Sequence, residues 1–393
     1  MKIALAHKRL DLGGGTERDF YRTAEGLRDL GHEVHLFCGE FRVSPPKQTH
    51  AHRVPILRLG RTAQLLSFAF LGPKAILPHR CDVLVSFGRM VSQDVLRSGG
   101  GSHRVFLEKM KQGEGALRRF WHRVSLYHRS VLAVETLQFR PQSYRRVLAV
   151  SQEVKREIVR TYMVPEDKIA VVYNGVDPER FHPHNRERSR ARIKAQWGIP
   201  SEAPLVLFVG SGFQRKGLNR LLKVWGSPLL QGIHLLVVGE DVHWDRYRSW
   251  AVSQGQGRVV LAGRQDNIED YYGAADILAL PAFQEAFGNV VLEALASGVP
   301  VLTTMAVGAA ELLAGELREG ILVNPDDPRE LQDKILAMVD HRRWSYLTSK
   351  ARELGERWSW SKHFLELERV LGAVCQEKQS YGQTGRPLRE SSP

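Results

Sequence analysis

Two glutamates with seven residues between them, Glu285 and Glu293, stand in the stretch Phe283-Gln284-Glu285-Ala286-Phe287-Gly288-Asn289-Val290-Val291-Leu292-Glu293-Ala294. The first sits in a glycine-containing loop after an apolar run. The second is embedded in Val-Val-Leu-Glu-Ala-Leu-Ala, which reads as a buried helix. A carboxylate in apolar company is costly unless it is paired or used. Gly288 and Asn289 open that helix, and the N–H groups of a helix start, here around Phe287 to Val290, favour an anion such as a diphosphate. Glu293 points back toward the same end, where a carboxylate can accept both hydroxyls of a ribose. Glu285, on the loop before the helix, is placed to meet a sugar beyond the phosphates. Arg215 and Lys216 follow the first apolar strand of the same half. Two cations neutralise a diphosphate, and the arginine adds a fork for its oxygens. Taken singly, these residues also fit a solvated loop carboxylate, a structural ion pair and a solvated turn. Their order and context together favour a site for nucleotide, diphosphate and sugar.

The elements that must position these residues alternate between strand and helix. Residues 2–7 form an apolar strand, followed by Gly13-Gly14-Gly15 and a helix with Phe20, Ala24, Leu27 and Leu30 on one face, ended by Gly31. Thr16 and Asp19 are spaced like a capping box. Residues 33–38 supply the second strand of this βαβ unit. Its Gly-rich turn serves either as a tight turn or as an anion contact at a helix start. A strand at 82–87 and the loop 98–103 follow, leaving His103 either facing a cleft or on the surface. Strands at 146–151 and 168–173 lead into Asn174-Gly175-Val176-Asp177. The polar segment 177–203 reads as an inter-domain linker with a short helix. A second series of strands then begins at 204–210 and recurs at 234–239, 258–263, 276–280, 300–304 and 320–323. This repeated alternation predicts an α/β fold of parallel sheets with helices on both faces. It amounts to two Rossmann-like domains facing each other across a cleft, with ligands at the carboxyl ends of the strands. The expected division is 1–178, 179–354, a helix over 355–375 crossing back to the first domain, and a polar, disordered tail from 376 to 393.

The composition agrees with this division. The chain has 393 residues, 43% hydrophobic and 25% charged, which is globular and longer than one core supports. Cys38, Cys81 and Cys375 are dispersed, without a metal or disulfide spacing, so a reducing cytoplasm is expected. The N-terminus is charged too early for a signal peptide. The most apolar segment, 63–77, is interrupted by Pro73 and Lys74 and falls short of a membrane span, which predicts a soluble or peripheral protein. The formal net charge of +13 implies an anionic partner. The charge is dense over 104–146, where Lys109, Lys111, Arg118, Arg119 and Arg123 interleave with Phe106, Phe120, Trp121 and Tyr127. Such a stretch suits an anionic membrane surface, base stacking on RNA, or the solvated face of a packed helix.

Glu285 to Glu293 resembles the E-x7-E motif of the retaining GT-B glycosyltransferases of family 4, and the likeness extends to about residue 375. Gly13-Gly14-Gly15 is similar to that family's donor loop, Arg215-Lys216-Gly217 to its cationic pair, and Asn174-Gly175-Val176-Asp177 to its entry into the second domain. Gly14-Gly15-Thr16-Glu17-Arg18-Asp19-Phe20 and Gly210-Ser211-Gly212-Phe213-Gln214-Arg215-Lys216-Gly217 most resemble the lipopolysaccharide-core type that glucosylates an inner-core heptose. The resemblance implies transfer of a hexose, glucose from UDP-glucose, with retention, onto a lipopolysaccharide-core or related cell-envelope glycan. It implies that Arg215, Lys216, Gly14 and Gly15 meet the diphosphate, Glu293 the ribose, Glu285 the donor sugar, and Asp19 or His103 the sugar or acceptor. It also implies a cytoplasmic enzyme held peripherally at the inner face of the cell membrane, with no nucleic-acid partner. Ser211 stands where the family has an arginine, so Arg215 carries that role. Gly100 stands where the glucosyltransferase type has an acidic residue, with His103 nearby. The chain has no Asp-x-Asp, so no metal cofactor is expected and the diphosphate charge falls to cations and helix ends. The alternatives are an epimerase or phosphorylase on the same fold, or a non-catalytic basic scaffold for membrane or nucleic acid.

Overall fold

The computed structural model describes residues 1–111 and 125–384. The chain forms two compact units, Met1–Val172 with the chain from Ser361 onward, and Tyr173–Trp360. These borders fall a few residues from the expected 178 and 354. The last strand of the first sheet ends at Val171, so the chain leaves that unit at once, while a backbone bridge between Val176 and Ser359 closes the second unit.

The first domain is a parallel sheet of β1 (Lys2–Leu10), β2 (Glu33–Phe41), β3 (His50–Arg53), β4 (Val83–Ser86), β5 (Val95–Ser98), β6 (Arg146–Ala149) and β7 (Ile169–Val171), in the order β3-β2-β1-β4-β5-β6-β7. Side chains alternate across β1. Ile3 and Leu5 face Phe20, Ala24 and Leu27 of the helix Gly15–Asp29 and Leu367, Leu371 and Val374 of the last helix, Trp360–Thr384. Ala4 and Ala6 face Phe37, Phe68 and Ile76 on the other side. Three expectations are corrected here. The edge strand β3 was not anticipated, because His-Ala-His-Arg has no apolar alternation. The capping box is not formed: Gly14 is the N-cap and has no side chain to cap with, Thr16 lies inside the helix, and Asp19 is buried. Residues 376–384 are helical rather than tail, tied down by Lys378 Nζ to Asp94 Oδ2 at 2.9 Å and by Glu377 to Arg146. The rest of the tail, 385–393, lies outside the described residues. Among the described residues no helix is long and apolar enough to cross a membrane.

The second domain is a parallel sheet of β8 (Leu205–Val209), β9 (His234–Val238), β10 (Val259–Gly263), β11 (Ile277–Leu280), β12 (Val301–Thr304) and β13 (Ile321–Leu322), in the order β10-β9-β8-β11-β12-β13. All five residues of β8 are buried, as expected of a strand covered on both faces. The segment read as a linker belongs to this domain. Its helix Asn185–Gln196 packs on the helix Ile268–Ala274. Arg186 and Arg190 converge on Asp276 (2.8 and 3.0 Å), and Arg188 and Arg192 on Asp270 (3.2 and 2.7 Å). Burial would raise the Asp270 carboxyl, but hydrogen bonds from Ser189, Asn267 and Arg192 outweigh it and hold it down to about 2. The arginines that gave the segment its polar look are the counter-charges of two carboxylates at the core edge. In each sheet the strand order reverses once, beside β1 and β4 in the first and β8 and β11 in the second. The carboxyl ends at such a reversal are where open α/β sheets bind ligands.

Candidate functional site

In the second domain, the loops at the reversal carry the residues singled out from the sequence. Beyond β8 the chain passes through Gly210 and the short helix Phe213–Lys216, which puts Arg215 and Lys216 at the strand's carboxyl end. Beyond β11, residues 281–288 lead into the helix Asn289–Ala296. The two loops are fastened together. The Phe283 N–H donates to the Arg215 carbonyl at 2.9 Å. Gly217 (φ +84°) lies so close to Pro281 that a Cβ there would stand 1.9 Å from the Pro281 carbonyl oxygen. Buried Arg220 donates to the same oxygen at 2.8 Å, forks Asp326 at 2.8 and 3.0 Å, and sits 3.5 Å from the centre of the Phe283 ring. The backbone of Glu285 is held as if in a sheet. Its N–H donates to Ala306 at 2.9 Å, and its carbonyl accepts from Gly308 at 3.0 Å. The loop is therefore fixed before any ligand arrives.

Glu285, Arg215 and Lys216 meet at one point. Arg215 Nη1 lies 2.8 Å and Lys216 Nζ 3.0 Å from the same Glu285 Oε2. Arg215 Nη1 also donates to the Gln284 carbonyl at 2.9 Å. Burial alone would raise the Glu285 carboxyl. Lys216 and then Arg215 outweigh it and hold it below the usual carboxylate range. One carboxylate against two cations leaves a formal charge of +1, beside a helix start that is itself partly positive. Gly288, the N-cap at φ +89°, brings no side chain of its own to that start, and a Cβ there would come within 2.9 Å of Val307 Cγ1. Asn289 Oδ1 accepts from Asn174 Nδ2 at 2.7 Å, so the 174–177 motif reaches the same helix end. Glu293 Oε2 accepts from the hydroxyl of buried Tyr272 at 2.9 Å. Phe287 is buried beneath the loop, and Val290 is half-buried.

The first domain places its candidates differently. The Glu17 carboxylate folds over Gly14, where a Cβ would come within 2.2 Å of its Oε2. Arg9 pairs with Asp11 at 2.6 Å and lies 3.6 Å from Glu17. Asp19, expected to meet sugar or acceptor, is only 6% exposed and faces Arg97, itself 3% exposed, at 3.7 Å. Gly99 approaches Thr16 (3.9 Å from an added Cβ), so the loop after β5 adjoins the Gly13–Gly15 turn. His103 opens the helix His103–Lys111. Its N–H donates to Glu135 Oε1 at 2.8 Å, and its Nε2 lies 3.0 Å from His128 Nδ1. Lys109 pairs with buried Glu157 at 2.9 Å, so this member of the basic stretch is turned to its own domain. The side chain of Lys111, and all of Arg118, Arg119 and Arg123, lie outside the described residues. A groove of about 830 Å³ in this domain, lined by Lys74, Asp94, Tyr144, Arg145 and Lys378 among others, opens at the amino ends of the strands and contains none of these residues.

Three positioning residues were not singled out from the sequence. Arg97 had a signal, a lone charge in the strand Val-Leu-Arg-Ser, where burial demands a counter-charge. Arg220 also had one: it lies four residues after Lys216, between the apolar Leu218 and Leu221 of the helix Leu218–Trp225. Tyr272 had none, since nothing in Tyr271-Tyr272 tells which hydroxyl reaches Glu293.

Residues 13–180 match the family described as Glycosyltransferase Family 4, and residues 203–341 the family described as Glycosyl transferases group 1. The lipopolysaccharide glucosyltransferase WaaG of Escherichia coli K12 is 27% identical over 328 residues, covering 81% of this chain and 84% of that protein. The crystal structure of WaaG, a glycosyltransferase involved in lipopolysaccharide biosynthesis, aligns with a TM-score of 0.77 at 22% identity, covering 94% of this chain and 99% of that one. Anabaena Alr3699/HepE in complex with UDP-glucose aligns with a TM-score of 0.71 at 17% identity, covering 95% and 100%. These structural likenesses concern the fold.

Proposed function

We propose that the chain, which matches Glycosyltransferase Family 4 over residues 13–180 and Glycosyl transferases group 1 over 203–341, transfers a hexose, glucose from UDP-glucose, with retention onto a lipopolysaccharide-core or related cell-envelope glycan. The observation that carries the proposal is the convergence of Arg215, Lys216 and Glu285 at the sheet reversal of the second domain, beside the start of the helix that bears Glu293. The likeness to WaaG, whose name gives its activity, and to HepE, whose crystals hold UDP-glucose, supports the choice of donor and acceptor class.

In this reading Arg215 and Lys216 turn from Glu285 to the diphosphate, and the N–H groups around Gly288–Val290 receive its remaining charge. Glu285, released from the cations, accepts hydroxyls of the sugar. Glu293, steadied by Tyr272, accepts those of the ribose. The acceptor hydroxyl attacks the anomeric carbon on the face that the diphosphate leaves. The new C–O bond forms as the old one breaks, and the acceptor's proton passes to the leaving phosphate oxygen. The protein contributes position and charge. No divalent metal is assigned a role in the transfer step, and stimulation of turnover by Mn²⁺ that EDTA abolishes would refute that assignment. The acceptor is assigned to the first domain's loops after β1 and β5, with His103 on the second of them. The basic stretch 104–146 is assigned to an anionic membrane face that presents such an acceptor, to be checked by flotation with anionic vesicles at low salt.

The decisive experiment offers the purified protein a panel of nucleotide sugars with truncated lipopolysaccharide acceptors, read by mass spectrometry. A hexose added from UDP-glucose with retained anomeric configuration is expected. Phosphate-dependent sugar release, or full function in a folded Lys216→Ala protein, would overturn the reading.

A further inference from the structure

Far in sequence from these residues, the outer edge of the first sheet holds four histidines and a glutamate. His35 lies on β2, and His50 and His52 lie on the adjoining β3. The parallel register places His50 beside His35 and His52 beside Phe37. His79 reaches the same place from the short 3₁₀ turn Leu77–His79. The His35, His52 and His79 rings each offer a nitrogen, and these nitrogens lie within 4.8 Å of one another. His35 and His52 are stacked, with centroids 5.1 Å apart and planes 6° apart, and His52 lies 4.2 Å from His79. We propose that His35, His52 and His79 form a transition-metal site, of the class that takes Zn²⁺, which clamps the edge strand β3 and the 77–79 turn onto β2.

The hydrogen bonds favour this. His35 Nε2 lies 2.8 Å from Glu33 Oε1 and His35 Nδ1 lies 2.8 Å from His52 Nε2. An ionised carboxylate only accepts, so the His35 proton sits on Nε2 and its Nδ1 presents a lone pair to His52. A carboxylate that fixes the tautomer of a histidine in this way is the usual outer partner of a metal-bound imidazole. Zinc–nitrogen bonds of about 2.0–2.1 Å in a tetrahedron set ligand nitrogens about 3.4 Å apart. The 2.8 Å contact of His35 and His52 therefore needs to open by about half an ångström, within the reach of a small ring rotation. Metal binding moves the His52 proton from Nε2 to Nδ1, so that Nε2 presents a lone pair and the ring stays neutral. Three neutral imidazoles with a fourth position open to water suit zinc, copper or nickel rather than calcium or magnesium. Phe37, 4.6 Å from the His52 ring and 4.9 Å from His79, gives the site an apolar wall. The cluster lies toward the amino ends of β2 and β3, whereas the donor and acceptor loops lie at carboxyl ends. Its role is thus structural and separate from glycosyl transfer.

The test titrates the metal-free full-length protein with Zn²⁺ in competition with a chromophoric chelator. One tight equivalent is expected in the wild type, with at least a hundred-fold loss of affinity in His52→Gln/His79→Gln, whose side chains are only half-buried. Glu33→Gln, removing the outer partner, should weaken binding about ten- to hundred-fold. Because a variant can fail to fold, hydrogen exchange on the wild type is the second measurement, and Zn²⁺ should slow exchange over 33–41, 50–53 and 77–79. The proposal is overturned by the absence of a tight equivalent, by undiminished affinity in the double variant, or by protection that falls elsewhere in the chain.

Discussion

Replacing Glu285 by glutamine removes one charge and almost no volume, which isolates the electrostatics of the site. In the wild type that carboxylate faces Lys216 at 3.0 Å and Arg215 at 2.8 Å through one oxygen. At an effective dielectric of about 20, each pair represents about 5–6 kcal/mol of Coulomb energy. Much of this is offset by taking the charges out of water, and deleting one partner of a buried pair costs about 3–5 kcal/mol net. Glutamine keeps an acceptor oxygen, and Arg215 is 30% exposed and can turn to water. Glu285→Gln should therefore destabilise the second domain by about 2–3 kcal/mol at pH 7. The sign with pH follows from the direction of the shift. The folded carboxyl titrates below its unfolded value of about 4.3, so its contribution is complete above that pH and is lost as pH falls through the folded value. The gap between wild type and variant should thus be full at pH 7, shrink below pH ~4 and close in stronger acid. Denaturant titration followed by hydrogen exchange over residues 280–296 reads this domain alone. A difference below about 0.5 kcal/mol at pH 7, where even exposed pairs reach that size, would refute the reasoning, as would one constant from pH 7 to pH 3. In the proposed function the same variant leaves two cations unopposed, so calorimetry should find UDP bound more tightly while turnover falls.

Gly217→Ala should cost about 2–4 kcal/mol, since it adds left-handed strain to an overlap with the Pro281 carbonyl. An unchanged melting temperature would show that the loops after β8 and β11 are not held as described. Asp19→Asn removes the carboxylate that offsets the burial of Arg97 and should cost about 3–5 kcal/mol in denaturant unfolding. Asp19→Leu combined with Arg97→Met should recover most of that loss, and equal losses in the single and double variants would contradict the pairing.

Legibility from sequence followed the range of the interactions involved. The alternation of strand and helix was readable because buried parallel strands such as Leu205–Val209 are apolar throughout. The second-domain site was readable because Glu285 and Glu293 share one loop and helix, and Arg215 and Lys216 adjoin one strand end. Their placement at the sheet reversal depends on β11 pairing with β8, some seventy residues away in the chain, and only the fold supplies it. The mutual pairing of Glu285 with both cations was hidden for the same reason. Asp19 was misjudged because its spacing from Thr16 suggested a cap, whereas its partner Arg97 comes from β5. The 177–203 segment was misjudged because composition cannot tell a solvated arginine from one aimed at Asp270 or Asp276. The histidine cluster joins positions 35, 52 and 79, which no local pattern connects.

The last helix carries a consequence for how the chain is made. Leu367, Leu371 and Val374 complete one face of the first domain's core, against Ile3, Leu5 and Phe20. Residues 173–360 are one continuous stretch and are complete before those three leave the ribosome. The first domain is thus completed only after the second, waiting with an apolar face open until the helix Trp360–Thr384 is supplied. A premature stop near residue 360 would spare Arg215, Lys216, Glu285 and Glu293 and still leave the first domain without part of its core. Such half-built domains are the species that aggregate, so damage at the carboxyl end of this chain is felt at its amino end.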